Sequence, residues 1–189
     1  MLDAGYAAVT SRRVAAMAGI DAALVYYYFG TMDDLCIALF RRYAERSAEH
    51  LHAALSSAQP LWALWDALRD QSNTALMTEF IALANHRKAV KTVMVANSRK
   101  FRRMHLERLS AILERYGVDR ETWAPAALVV VLSSISRQLN ADEAFGVEPG
   151  HDETIALVES QIRALEGERG ETGTRHGRSG RAAKNRSTR

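Results

Sequence analysis

Apolar residues recur at intervals of three and four positions along nearly the whole chain, which is the spacing of helices with one buried face. No run shows the strict alternation of apolar and polar residues that is typical of a half-buried strand. Three prolines occur, at positions 60, 125 and 149, and long stretches without Gly or Pro are rich in Ala, Leu, Arg and Glu. The pattern therefore predicts an all-α protein.

The predicted helices are bounded by residues that favour helix starts and ends. Pro60 suits a first helical turn, Gly117 suits the position after a helix end, and Asp152 suits an N-cap. Together with the spacing, these signals predict helices over residues 11–18, 22–28, 32–55, 60–71, 74–86, 88–115, 121–140 and 152–166.

The most informative stretch is residues 10–35, TSRRVAAMAGIDAALVYYYFGTMDDL. Thr10 or Ser11 can cap a first short helix, Gly19 permits a tight turn, and Asp21 can cap a second helix. Two short helices joined by such a turn are typical of a helix-turn-helix motif.

The packing of this motif follows from the same spacing. Val14 and Ala18 are expected to face the partner helix, and Ile20 is expected to fill the space between the two helices. Val25 and Tyr28 are expected to return to the core, three positions apart. Phe29 is also expected to be a core residue.

The other positions of the second helix are predicted to point outward and to enter a DNA major groove. They are Ala22, Ala23, Leu24, Tyr26 and Tyr27. Alanine and leucine can touch thymine methyl groups, and tyrosine hydroxyls can bond phosphates or base edges. Residues at the start of the first helix are predicted to hold phosphates, because helix N-termini favour anions and arginine adds charge. They are Thr10, Ser11, Arg12 and Arg13.

These residues closely resemble the DNA-binding segment of the TetR/AcrR repressor family. The resemblance rests on Ala18-Gly19-Ile20, on the block LVYYYF ending at Phe29, and on Leu35 six residues later. It implies a small DNA-binding domain and a larger helical domain that dimerises and holds an effector pocket. The implied partners are double-stranded DNA, a small apolar effector and a second copy of the chain.

The sequence also departs from the family pattern. The family's first helix normally precedes Gly5-Tyr6, and because this chain starts close to that point, most of that helix is expected to be missing. Met32 stands where a lysine is common, and Asp21 and Ala22 stand where Ser and Lys are frequent. Residues 10–35 hold two arginines and three aspartates, so DNA binding is expected to be weak or sensitive to salt.

Large apolar side chains in the C-terminal part are candidates for the effector pocket. They are Trp62, Trp65, Met77, Phe80, Met94, Phe101 and Trp123, with Asn97 as a polar contact. Asn85 and Glu79 are further candidate polar contacts. For each large side chain the alternative is ordinary core packing, which any helical protein of this size requires.

The last two predicted helices carry apolar stripes that suit a four-helix dimer interface, with two helices from each subunit. The stripe residues are Leu128, Val131, Leu132, Ile135, Ile155, Val158, Ile162 and Leu165. The alternative is burial of both stripes within one subunit.

The domain organisation follows from these patterns and from charge. We predict a DNA-binding domain over residues 1–45, an effector-binding and dimerisation domain over 46–166, and a disordered basic tail over 167–189. The tail holds seven Lys or Arg against two Glu and almost no aliphatic residue. Because the whole chain carries a net charge of +3, the rest is slightly acidic.

Other function classes find little support in the sequence. A lone cysteine, Cys36, and six scattered histidines make no metal-ligand or nucleophile arrangement, so we expect no metal, no cofactor and no catalytic site. The N-terminus lacks a signal-peptide pattern, and the apolar run 126–132 is too short to cross a bilayer. A cytoplasmic protein is expected.

Two functions remain open at this point. The first is a ligand-responsive homodimeric repressor that binds a palindromic operator. The second is a helical dimer that binds a small apolar ligand or a partner protein and has lost DNA binding.

Overall fold

The computed structural model describes residues 1–170 except 3, 120 and 122, and only the backbone of residues 71–73. Within these residues every regular element is a helix, so the all-α prediction is confirmed. The elements are a 3₁₀ helix at Tyr6–Ala8, then α1 (Ser11–Ala18), α2 (Ala22–Phe29), α3 (Met32–Leu55), α4 (Pro60–Leu68), α5 (Gln71–His86), α6 (Lys88–Arg115), α7 (Pro125–Phe145) and α8 (His151–Glu166).

Some predicted helix ends are wrong, and the backbone explains why. α7 begins at Pro125 rather than at residue 121, because Ala124 is in an extended conformation and proline fits a first turn. The N-cap of α8 is Gly150, whose φ of 86° is left-handed, and not Asp152. Asp152 lies in the first turn instead, where a carboxylate interacts favourably with the helix dipole.

The N-terminal core joins the first three helices to α5 and the start of α6. It is formed by buried residues from all five helices, namely Ala15, Val25, Leu35, Cys36, Phe40, Ala44, Phe80, Leu83, Ala84, Val90 and Met94. The rings of Phe40 and Phe80 meet edge to face at its centre, 5.2 Å apart. The short helices α1 and α2 are therefore anchored on the longer helices behind them.

A second core lies toward the other end of the molecule. It is formed by Leu55, Leu61, Trp62, Leu64, Trp65, Leu109, Ile112, Leu113, Leu139, Val158 and Ile162. Because α3 and α6 contribute to both cores, these two long helices run between the N-terminal helices and the C-terminal ones.

Residues 167–170, at the start of the predicted tail, pack against α4. The indole N–H of Trp62 donates to the Gly167 carbonyl at 3.1 Å, and Arg169 lies over the Trp62 ring while pairing with Asp66 at 3.0 Å. Burial raises the pKa of the Asp66 carboxyl, an effect that the nearby Arg169 opposes. The rest of the predicted tail lies outside the described residues.

In the described part of the chain, no single helix has both the length and the apolar composition needed to cross a bilayer. α2 and α3 meet the requirements of length and apolar composition only when they are taken together, and the two helices are bent by 71° relative to each other.

Candidate nucleic-acid interface and effector cavity

α1 and α2 form the predicted helix-turn-helix, with the predicted caps. The Thr10 hydroxyl accepts a hydrogen bond from the Arg13 N–H at 3.3 Å, and the Asp21 carboxylate accepts one from the Ala23 N–H at 2.7 Å. Gly19 ends α1 with φ 67° and ψ 31°, a left-handed conformation that glycine adopts at little strain. The local structure thus follows from three short polar or small residues.

The hairpin packs through fewer residues than the spacing predicts. Ala15 and Val25, each 3% exposed, join the two helices to the N-terminal core, and Val14 packs against it. Ala18 and Ile20 are exposed, so their predicted burial is wrong. They lie at the turn between the helices, beyond the contact that Ala15 and Val25 make.

The outward face of α2 is broader and more aromatic than predicted. Ala23, Leu24, Tyr26 and Tyr27 are exposed, and Tyr27 is 80% exposed. Tyr28 is 72% exposed and packs edge to face on Tyr27, so its predicted return to the core is wrong, and Phe29 is exposed as well. Val25 faces the core, and the described residues leave the aromatic end of α2 uncovered.

Ala22 differs from the rest of the predicted contact set. It is half-buried and packs against the N-terminal core, so its predicted outward position is wrong. As the first residue of α2, it follows the cap at the point where this helix meets the core.

The predicted phosphate-binding residues lie at the start of α1. Thr10, Arg12 and Arg13 are exposed there, and Ser11 is half-buried. Two neighbouring carboxylates have partners within the chain, since Asp33 lies 3.7 Å from Arg87 and Asp34 accepts from the Thr31 hydroxyl at 2.6 Å. Arg87 offsets part of the charge of Asp33, whereas the neutral Thr31 hydroxyl leaves the charge of Asp34 in place.

A cavity of about 340 Å³ lies between α3, α4, α5, α6 and α7. Much of its wall is apolar, including Phe40, Leu51, Leu55, Leu64, Leu68, Met77, Phe101, Leu106, Leu109 and Val129. The other lining residues are polar, namely Tyr43, Ser47, His50, Asp70, Thr74, Asn97, Ser98, Arg102, His105, Ser133, Ser136 and Arg137. An apolar space with polar groups in its wall is the usual form of a small-molecule site.

The ring of His105 is oriented by its own helix. Its Nδ1 lies 2.7 Å from the carbonyl oxygen of Phe101, and because that oxygen can only accept, Nδ1 carries a proton. Tyr43 supplies a donor, since burial raises the pKa of its phenol and keeps it protonated.

Of the predicted effector residues, Met77, Asn97 and Phe101 line this cavity, and Met94 lines a neighbouring groove. The structure places Trp62 and Trp65 in the second core and Phe80 in the N-terminal core, so these three follow the packing alternative. Trp123 is 44% exposed and belongs to neither core, and it does not line the cavity either.

Sequence reasoning missed the α3 residues that form one wall of the cavity. They are Phe40, Tyr43, Ala44, Ser47, His50, Leu51 and Leu55. The spacing gave no separate signal for them, because the apolar residues of 40–55 form a single stripe that ordinary core packing would also produce.

Comparison with known proteins agrees with the motif and the fold. Residues 1–39 match the family model of bacterial regulatory proteins of the tetR family. Residues 1–39 are therefore similar to the N-terminal segment of TetR-family transcriptional regulators.

Two solved structures share the fold over most of this chain. A TetR transcription regulator from Haloarcula marismortui is 21% identical, with a TM-score of 0.66 over 87% of this chain and 90% of that one. A TetR-family regulator described as putative, from Rhodococcus sp., is 15% identical, with the same TM-score over 87% and 91%. No curated relative matches the sequence. These similarities show that the chain shares their fold, in which a helix-turn-helix domain is followed by a larger helical domain.

Two connections join the cavity to the N-terminal part of the chain, which contains the α1–α2 helix-turn-helix. α3 lines the cavity with its middle and C-terminal part and contributes Leu35 and Cys36 to the N-terminal core. α5 lines the cavity through Met77, and Glu79 accepts a hydrogen bond from the backbone N–H of Tyr6 at 2.6 Å. A displacement of α3 would therefore reach the N-terminal core directly, and a displacement of α5 would reach the segment at Tyr6.

The predicted dimer residues divide into two groups. Val158 and Ile162 are buried within this subunit, and Leu128, Leu132, Ile135 and Ile155 are half-buried against the same core. Val131 and Leu165 are 51% and 38% exposed, and the neighbouring Val130 and Leu157 are 44% and 64% exposed. Val130 and Val131 of α7 and Leu157 and Leu165 of α8 are together called the outward apolar face of α7 and α8 below.

TetR-family regulators are in general transcription factors rather than enzymes. Among the described residues, no group of three or more His, Cys, Asp or Glu side chains is placed to hold a metal ion.

Proposed function

We propose that this protein is a ligand-responsive homodimeric repressor that reads a palindromic operator in the cytoplasm. The observation that carries the proposal is the capped α1–α2 hairpin, with Ala23, Leu24, Tyr26 and Tyr27 exposed on one face and Arg12 and Arg13 beside it. A helix of this kind fits a major groove, with its small and apolar residues against base edges.

The dimer would place two such helices in successive major grooves, about 34–36 Å apart. Its interface would form from the outward apolar face of α7 and α8, because the exposed side chains of Val131 and Leu157 would be buried there. In domain terms, we propose a DNA-reading unit over residues 1–45 and an effector-binding and dimerisation unit over 46–166, which share α3.

The effector would bind in the 340 Å³ cavity and favour one arrangement of α3 and α5. It can shift the DNA-binding equilibrium only by as much as its affinity differs between the two arrangements. Couplings of this kind typically change affinity by about 5- to 150-fold.

The test is a fluorescence anisotropy titration of the full chain with DNA from upstream of its own gene, at two salt concentrations. We expect a sequence preference that Tyr27→Ala weakens by about 10- to 100-fold, because a lost base-edge contact is worth about 1–3 kcal/mol. The double variant Arg12→Gln with Arg13→Gln should reduce the salt dependence by about one counterion per arginine.

Arg46→Gln is the matched control, because Arg46 is exposed on α3 away from this face. DNA binding without sequence preference would overturn the operator proposal. A stable dimer that still binds an apolar ligand would then favour the second function, a ligand-binding protein that does not read DNA.

A further inference from the structure

A groove of about 630 Å³ on α5 and α6 lies beside the effector cavity. Its apolar wall is formed by Ile81, Ala84, Met94, Val95 and Leu106. Its charged side chains are Lys91, Arg99, Arg102 and Arg103, and no carboxylate lines it. The groove therefore combines apolar surface with positive charge alone.

The groove and the cavity share one row of α6 residues, Ser98, Arg102 and Leu106. These residues are four positions apart and so lie along one ridge of the helix. Arg102 is the charged member of the row and borders both spaces. A ligand that occupied the cavity and emerged at this ridge would meet its guanidinium.

The positive charge on this part of α6 has no acidic counterpart among the ion pairs of the described residues. Residues 88–106 carry six Lys or Arg and no Asp or Glu. Among the described residues, no carboxylate pairs with Arg99, Arg102 or Arg103, although Arg87, Arg163 and Arg169 elsewhere do have such partners. Guanidinium groups without a partner favour carboxylate or phosphate ligands, which they bind with two parallel hydrogen bonds.

We propose that the cavity and the groove together bind an anionic amphiphile. Its apolar body would lie in the cavity, and its carboxylate or phosphate head would bind Arg102, with Arg99 and Arg103 adding charge. The inference rests on the effector role proposed above and names the chemical class of that effector. The apolar wall is a reason to prefer an amphiphile over duplex DNA, which would use the charges but leave that wall uncovered.

The first experiment is isothermal titration calorimetry of the full chain with four ten-carbon probes below their aggregation concentrations. Decanoate and decyl phosphate should bind, decanol should bind at least about 10-fold more weakly, and decyltrimethylammonium should not bind. The tighter of the two anions identifies the head group. Equal affinities for decanol and for both anions would overturn the inference, as would no binding of either anion.

The second experiment uses variants of α6. Arg102→Gln should weaken the binding of the anions by about 10- to 100-fold and leave decanol unchanged, since it removes a hydrogen bond to a charged group. Lys100→Gln is the matched control, because Lys100 lies on the same helix, carries the same charge and lines neither space. An unchanged decanoate affinity in Arg102→Gln, with a lowered affinity for duplex DNA, would overturn the inference in favour of a nucleic-acid surface.

Anisotropy with upstream DNA, run in parallel, separates this inference from the proposed function. Sequence-specific DNA binding without binding of either anion overturns the ligand class and leaves the regulator standing. Anion binding that Arg102→Gln weakens, without specific DNA binding, supports the ligand site and overturns the regulator.

Discussion

Glu166, the last residue of α8, accepts a hydrogen bond from the backbone N–H of Trp62 in the first turn of α4, at 3.1 Å. The same carboxylate accepts from the Leu61 N–H at 2.8 Å and from the Tyr116 hydroxyl at 2.7 Å. Gln59, the N-cap residue of α4, makes no side-chain capping bond. A residue distant in sequence therefore caps α4 and ties it to α8.

We expect Glu166→Gln to lower the free energy of unfolding by about 1–3 kcal/mol, because it leaves a part-buried N–H without its acceptor and removes a charge that favours the helix N-terminus. Urea denaturation followed by circular dichroism measures the change. Glu168→Gln is the control, since that side chain is 81% exposed and pairs with Arg163 at the surface. Equal losses in the two variants would contradict the capping role.

The second prediction concerns Gly19, between α1 and α2. An added Cβ would meet nothing within 4 Å, so a substitution there is opposed by its left-handed backbone alone. We expect Gly19→Ala to lower stability by about 1–2 kcal/mol and Gly19→Asn to lower it by less, because Asn tolerates this conformation better. Thermal unfolding measures both variants, and a loss from Asn as large as that from Ala would be inconsistent with a purely conformational cause.

The third prediction concerns Cys36, which is buried in the N-terminal core. Burial, and secondly the nearby Asp33 carboxylate, raise the pKa of this thiol in the folded chain. The folded state therefore favours the protonated form. Its stability contribution is complete below the unfolded-state pKa of about 8.5 and is lost as the pH rises through the higher folded pKa.

Urea denaturation of the wild-type chain and of Cys36→Ala between pH 7 and 10 isolates this effect. The stability advantage of the wild type over the variant should shrink above about pH 8.5. Other groups, including Tyr43 with its raised pKa, are common to both proteins and cancel in the difference. A difference that stays constant with pH would contradict the prediction.

Local signals were sufficient for much of the fold. Residues 11–18, 32–55 and 88–115 were predicted as helices with the observed ends, because Thr10 and Gly117 are strong boundary residues and the spacing between them is regular. The start of α7 was missed because the spacing before Pro125 looked helical, whereas proline favours an extended residue before it.

The site was harder to predict, because periodicity shows which face of a helix is apolar but not what covers it. Tyr28 is apolar and correctly spaced for the core, yet it is exposed, since no described element packs over that end of α2. Trp65 looked like a pocket residue and is fully buried. Which large residues line a space depends on how α3, α4 and α6 pack, and that information is not local.

The fourth prediction concerns the outward apolar face of α7 and α8. Val131→Glu combined with Leu157→Glu should yield a monomer, because each dimer would place four carboxylates against apolar surface. Both side chains are mostly exposed in the subunit, so its fold should be unchanged. Sedimentation velocity measures the assembly state, and circular dichroism checks the fold.

Met104→Glu is the control for this pair, because Met104 is 51% exposed on α6, outside the proposed interface. It should leave the assembly state unchanged. If the double variant sediments like the wild-type chain, the proposed interface is wrong. Dissociation by Met104→Glu would instead place an interface on α6.

The fifth prediction concerns Glu79, which connects α5 to the N-terminal segment. The Glu79 carboxylate accepts a hydrogen bond from the Tyr6 N–H. The Tyr6 ring stacks on the ring of His86, about two turns further along α5, with ring centres 5.8 Å apart. Glu79→Gln should weaken this attachment. Hydrogen exchange should become faster at residues 6–8, while exchange in α7 should not change.

The same variant tests how the cavity communicates with DNA. If α5 carries part of the effector response, Glu79→Gln should reduce the factor by which a bound effector weakens operator affinity, and should leave effector affinity unchanged, because Glu79 does not line the cavity. Anisotropy titrations with and without saturating decanoate measure that factor. Glu49→Gln, an exposed carboxylate on α3, is the matched control. An unchanged factor in Glu79→Gln would assign the communication to α3 alone.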